Sequence, residues 1–203
     1  MELLLIRHGR PHRSSDPGGA NPGLTAEGRG QAGAIAAALV AGRYGPITAA
    51  VSSTMRRAVE TAEPSARRLG LELTRDERLV ELDQGAVQYH GGIDHFAARA
   101  DAWASLNDGR WGDHTFDPAA FAARVLRGVE AAIQRSNRGN VAIFCHGGLI
   151  SAYLGMVIGS ATPFFFAPDF GSVSRVLAGP GDYREFLSAN ETGHLMDPLP
   201  HSV

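Results

Sequence analysis

Along this chain, short apolar runs alternate with stretches of helical period. Residues 3–7 form the first run, which has the length and content of a buried strand. Gly, Pro and Ser residues from 9 to 23 follow as a loop, and Leu24-Thr25 then opens a helix that the Thr25 hydroxyl can cap. Residues 47–53 predict a second strand, about 55–69 a helix, and 71–74 a short third strand. From Gly85 to Asp117 the periodicity breaks down amid Gly, His, Trp and Asp, with one helical stretch at 96–106, and this segment reads as a lid-like insertion over a site. Beyond it, 121–133 predicts an amphipathic helix, 141–145 a fully apolar strand, 149–158 a helix, and 173–177 and 183–187 two late strands.

Strands alternating with crossover helices predict an α/β fold: a three-layer α/β/α sandwich around a mostly parallel central sheet, formed by residues 1–203 as one domain. In such a sheet, ligands bind outside the carboxyl ends of the strands. Gly28-Arg29-Gly30-Gln31-Ala32-Gly33 spells a dinucleotide fingerprint. It begins well after the first strand, however, and lies inside a helical pattern, where small residues let the backbone pack close to the sheet.

Charge narrows the partners. Nineteen Lys and Arg against 21 Asp and Glu give a net charge of -2, which favours neither nucleic acid nor an anionic membrane. Glu2 stands where a signal peptide would carry its basic end, and the first apolar run is far too short to span a bilayer, so a cytoplasmic protein is expected. The single cysteine, Cys145, cannot form an internal disulfide and reads as a buried strand residue.

The informative residues lie at strand ends. Arg7-His8-Gly9 follows the first strand, and Cys145-His146-Gly147-Gly148 follows the apolar strand at 141–145, so two imidazoles can converge at one edge of the sheet. Ser52-Ser53-Thr54-Met55-Arg56-Arg57-Ala58 follows the second strand and places two arginines on the first turn of a helix, where backbone N–H groups already favour anions. A lone His or Arg at such a place is usually structural, whereas three motifs at equivalent ends make a constellation.

These residues resemble the histidine phosphatase superfamily, with its phosphoglycerate-mutase-like fold. Residues 3–9 resemble the family's opening strand and RHG motif; Leu24-Thr25 with Gly28, Gln31 and Ala32 resembles its LTxxGxxQA helix; residues 52–62 resemble SSxxxRAxxTA. Leu79-Val80-Glu81 with Gly85 resembles the acid-bearing stretch, His146-Gly147-Gly148 the second histidine motif, and the tail from Asn190 to Leu195 the NxTxHL ending. Gly rather than Asp after His146 matches the mutase and small-phosphatase branch. The resemblance implies His8 as nucleophile, Arg7 and Arg57 as phosphate clamps, His146 as the second pocket histidine with Gly147 beside it, and Glu81 as proton donor. It implies a phosphatase that hydrolyses small phosphorylated metabolites through a phosphohistidine on His8, with no metal and no other cofactor. A phosphoglycerate mutase and a non-catalytic phosphate-binding module are the alternatives, and a homodimer is compatible with each.

Departures from the family pattern limit the reading. Arg10 stands where the family often has Glu after RHG, and Ala86-Val87-Gln88 where it often has Trp-Glu-Gly, which favours phosphatase over mutase activity. Asp83 rivals Glu81 as proton donor, since in an extended segment both would face one side. Arg56 reads as an exposed helical charge, and Ser14, Thr25 and Ser52 as capping or turn residues. His90, His95 and His114, with Asp94 and Asp113, lie in a polar excursion, and no two of the histidines have the i, i+4 spacing of helical metal ligands. Phe164-Phe165-Phe166 reads as core or lid. For substrate choice, Tyr89 and His90 are the expected contacts, while Trp103 fits a satellite core equally well.

Overall fold

The first strand, β1 (Glu2–Arg7), buries Leu3 to Ile6 completely and lies between two neighbours in the sheet. The computed structural model describes residues 1–13, 21–86, 89, 99–112, 114–136 and 139–196. Chain order continues with α1 (Ala26–Val40), β2 (Ile47–Ser53), α2 (Arg56–Leu69), β3 (Leu73–Asp76), α3 (Arg99–Asn107), β4 (Arg110–Trp111), β5 (His114–Thr115), α4 (Pro118–Ile133), β6 (Asn140–Cys145), α5 (Gly147–Ile158), β7 (Val173–Ala178) and β8 (Arg184–Glu191).

The main sheet has the order β3-β2-β6-β1-β7-β8, in which the first four strands are mutually parallel, β7 pairs antiparallel with β1, and β8 pairs antiparallel with β7. Strand alternation divides the core. Leu4, Ile6, Ala142 and Phe144 face α1 and α2 through Ile35, Leu39, Ala62 and Ala66. Leu3, Leu5, Ile143 and Cys145 face the other layer, where α3, α4 and α5 contribute Leu106, Val125, Val129 and Leu149. This is the three-layer sandwich that the pattern predicts. Among the described residues no helix is long and apolar enough to cross a membrane.

Three of the boundaries that differ from the sequence reading have a local reason. The third strand begins at Leu73 and not at residue 71, because α2 ends in left-handed Gly70 and the Leu71 N–H still bonds back to Ala66. β8 runs on to Glu191 and not 187, since its polar end still pairs with β7, Val173 opposite Glu191. Helix α4 starts at Pro118, where the Asp117 carboxylate accepts from the N–H groups of Ala119 and Ala120. Of the helix expected at 96–106, residues 99–107 are helical and 96–98 lie outside the described residues.

The first loop is fixed by glycine. Thr25 caps α1 as expected, accepting from Gly28 N–H at 3.0 Å and donating to the Arg10 carbonyl at 3.0 Å. A Cβ on Gly28 would stand 2.2 Å from the Arg10 carbonyl oxygen, and one on Gly9 would stand 2.5 Å from that of Gly28. The fingerprint-like Gly28 therefore serves close packing of α1 on the loop after β1, whereas a Cβ at Gly30 or Gly33 would meet nothing within 4 Å.

Candidate active site

Parallel pairing of β1 with β6 sets Arg7 opposite Cys145, so the next residue of each strand, His8 and His146, leaves the sheet at the same edge. The His8 N–H donates to the Cys145 carbonyl at 3.0 Å, and the two imidazole rings stand 5.1 Å apart, edge to face. His8 is 2% exposed. Its Nδ1 lies 2.8 Å from the Gly9 carbonyl oxygen, which can only accept; Nδ1 therefore carries the proton and Nε2 a lone pair. Burial, reinforced by the charges of Arg57 and Arg7, holds His8 well below the usual histidine range, so it is neutral at pH 7.

Proton bookkeeping also assigns His146. Ser53 Oγ accepts the Met55 N–H at 3.2 Å and lies 2.8 Å from His146 Nε2, and the hydroxyl proton has no other acceptor among the described residues. Ser53 thus donates to Nε2 and places the His146 proton on Nδ1, which makes no hydrogen bond among the described residues. Burial, then the charge of Arg57, depresses this histidine well below its ordinary value too.

The cations are held by different means. Arg57, on the first turn of α2, is fully buried, and its Nη2 donates to both carboxylate oxygens of Asp83 at 2.9 and 3.1 Å. Its guanidinium also lies 4.7 Å from the Tyr89 ring centre. Arg7 donates to the Pro168 carbonyl and stacks 3.8 Å over Phe170, leaving its buried Nε without a hydrogen bond among the described residues. Arg56 is 61% exposed and pairs with Glu60 one turn on, as expected of a helical surface charge. Because the Arg57–Asp83 pair is buried, Asp83→Ala removes the carboxylate that faces a buried guanidinium and is expected to cost about 3–5 kcal/mol, read as a lowered urea midpoint. An unchanged midpoint would show that the pair does not support the fold.

Glu81 stands elsewhere. Its Oε2 accepts from Gly148 N–H at 2.8 Å, at the start of α5, and its Oε1 from Leu82 N–H at 3.0 Å. Burial, and next the charge of Asp83, raise its pKa above the usual carboxylate value. The segment is not extended: N–H groups of Gln84 and Ala86 turn back to the carbonyls of Glu81 and Asp83. The two carboxylates accordingly have separate partners, although both residues line one cavity.

A cavity of ≈ 390 Å³ is lined by Arg7, His8, Arg57, Glu81, Tyr89 and Gly147 among others, so these expected residues meet in one place. His146 is fully buried beside His8 and is not among the lining residues. Tyr89 is 8% exposed and packs on Arg57; His90 lies outside the described residues, as do Ser14, Asp94, His95 and Asp113. Trp103 and Trp111 line the cavity as well as touching the core. Phe164 is core, Phe165 is 38% exposed, and Phe166 lines the cavity.

Sequence reasoning missed Ser53, Asp83 as partner of Arg57, and the role of the tail. His194 Nε2 lies 2.9 Å from the Gly171 carbonyl, while Asn190 exchanges two hydrogen bonds with Asp169, so the tail holds the segment carrying Phe170 against Arg7. The second Ser of the SSxxxRA segment and the Asn and His of the NxTxHL ending were the signals for these roles.

Solved structures resemble this chain throughout. Mycobacterial glucosyl-3-phosphoglycerate phosphatase complexed with VO3 is 27% identical, covers 94% of this chain and 99% of its own, and superposes with a TM-score of 0.74. The phosphoserine phosphatase mutant of Entamoeba histolytica in complex with phosphoserine is 21% identical over 96% of this chain and 98% of its own, TM-score 0.73, a likeness of fold. Bifunctional protein Rv2228c of Mycobacterium tuberculosis is 46% identical over 87 residues, 41% of this chain, and the match spans only 23% of that relative's length. The model of the histidine phosphatase superfamily (branch 1) matches residues 3–191, so the chain belongs to that superfamily.

Proposed function

We propose that this chain is a phosphomonoesterase that transfers the phosphoryl group of a small phosphorylated metabolite to His8 and then to water. The observation that carries the reading is His8 itself: neutral, its Nδ1 proton held by Gly9, its Nε2 lone pair available, with Arg7 and Arg57 on the same cavity. In the first step the Nε2 lone pair forms an N–P bond while the P–O bond to the alcohol breaks. The leaving oxygen takes the Glu81 proton, which the raised pKa keeps available. In the second step, water gives a proton to the Glu81 carboxylate and attacks phosphorus, and the N–P electron pair returns to Nε2. Arg7 and Arg57, which line the cavity, stabilise charge on the equatorial oxygens, with the N-terminus of α5 at Gly147 adding its dipole. His146, buried beside His8, holds an Nδ1–H with no hydrogen-bond partner among the described residues.

Protein cations supply the charge in this scheme. Dialysis against a strong chelator is therefore expected to leave hydrolysis of an aryl phosphate unchanged, and activity that vanished and returned only with a particular ion would refute that part of the scheme. The phosphatase reading is preferred to a mutase because Arg10 replaces the family's Glu and makes an ion pair with Glu27 at 2.7 Å.

A further inference from the structure

The clamp contacts only what all phosphomonoesters share, so the rest of the cavity must select the alcohol. Its described wall away from the clamp carries four aromatic side chains: Trp103 from α3, Trp111 from the β4–β5 hairpin, and Phe164 and Phe166 from the segment after α5. The wall is built to stay in place. The Asn107 side chain donates to the Phe164 carbonyl at 2.8 Å and accepts its N–H at 3.1 Å, tying α3 to that segment. Phe116 and Phe121 brace Phe164, all three ring centres lying 5.7 to 6.1 Å apart.

Several polar groups of the lining are already engaged among the described residues. Ser151 Oγ donates to the Pro163 carbonyl and accepts from the N–H groups of Phe165 and Phe166. Asp169 exchanges hydrogen bonds with Asn190, Gln31 Oε1 accepts the Arg10 N–H, and Arg10 pairs with Glu27 over the Phe170 ring. Arg99 also lines the cavity, from the exposed first turn of α3. A polyhydroxylated alcohol needs several uncommitted donors and acceptors to replace its hydration, and a second carboxylate needs a cation; a flat apolar body needs neither.

Resting on the phosphatase reading, we propose that the substrate is a phosphomonoester of an alcohol bearing a flat apolar ring, which the Trp103–Trp111–Phe166 wall receives. The preformed wall favours such a ring because little side-chain ordering is left to occur on binding.

The test compares 2-phenylethyl phosphate with glycerol phosphate and 3-phosphoglycerate, whose alkoxide leaving groups are all poor, in the full chain, Trp103→Ala and Trp103→Phe. The proposal expects kcat/KM for 2-phenylethyl phosphate to exceed that for each of the other two by about 100-fold. The ratio should fall at least about tenfold in Trp103→Ala and recover in Trp103→Phe, which keeps a ring and guards against misfolding. Equal rates, a reversed order, or a ratio unmoved by Trp103→Ala would overturn it. If hydrolysis depends on His8 but the ranking is flat, only this proposal fails; if no ester is hydrolysed in a His8-dependent way, the phosphatase reading fails with it.

Discussion

His8→Ala is expected to lower kcat for every phosphomonoester by about 10⁴-fold or more, because the group that forms the new bond to phosphorus is removed. The fold should survive. β1 is held on both sides, by β6 and β7, and the loop after it by the Gly9 N–H to Thr61 and by the packing of α1 at Gly28. Inorganic phosphate should therefore still bind the variant through Arg7 and Arg57, which separates loss of chemistry from loss of the site. Turnover close to that of the unaltered chain, with phosphate binding intact, would place the nucleophile elsewhere.

Glu81→Gln is expected to slow alkyl phosphates by roughly 10²–10⁴-fold while largely sparing activated aryl phosphates, whose leaving groups depart without a proton. The pH dependence follows from the direction of its shift. Burial raises the Glu81 pKa, so the protonated acid persists to higher pH than for an exposed carboxylate. The rate for alkyl phosphates should fall as pH rises through that raised value, and this limb should be missing for aryl phosphates and from Glu81→Gln. His8, held low, should stay neutral through and below pH 6.5 and so should not impose an acid limb near neutrality. The same selectivity in Asp83→Asn, with Glu81→Gln indifferent, would exchange the two carboxylates. Asp83 lies in the bidentate pair with Arg57, whereas Glu81 is held by two N–H groups.

The parallel half of the sheet was legible because β1 and β6 are apolar on both faces, β2 has an apolar centre, and all three lead into residues of the site. Strand direction was not: β7 and β8 have ordinary strand patterns, and nothing in their period says that they run antiparallel. The motif residues His8, Arg7, Arg57 and Glu81 could be named from order and spacing, yet their connections could not. Asp83 reaches Arg57 across 26 positions only because the chain turns after Glu81, and Ser53 reaches His146 across 93 because β2 lies beside β6. A pattern of strand residues encodes which face is buried, and a side chain in a turn escapes that code. The aromatic wall was half visible: Trp103 and Trp111 stood out by type, but Phe166 enters from the segment after α5, which shares no motif with the insertion.

The most direct test of the account is to trap the intermediate. The protein is mixed with a phosphomonoester carrying labelled phosphorus and denatured within a turnover, and the label on the chain is then followed in acid and in base. The account predicts about one label per chain at most, lost in acid, stable in base, and absent from His8→Ala. Label on another residue, or turnover with no label on the chain under conditions in which the second step is slowed, would contradict transfer through His8.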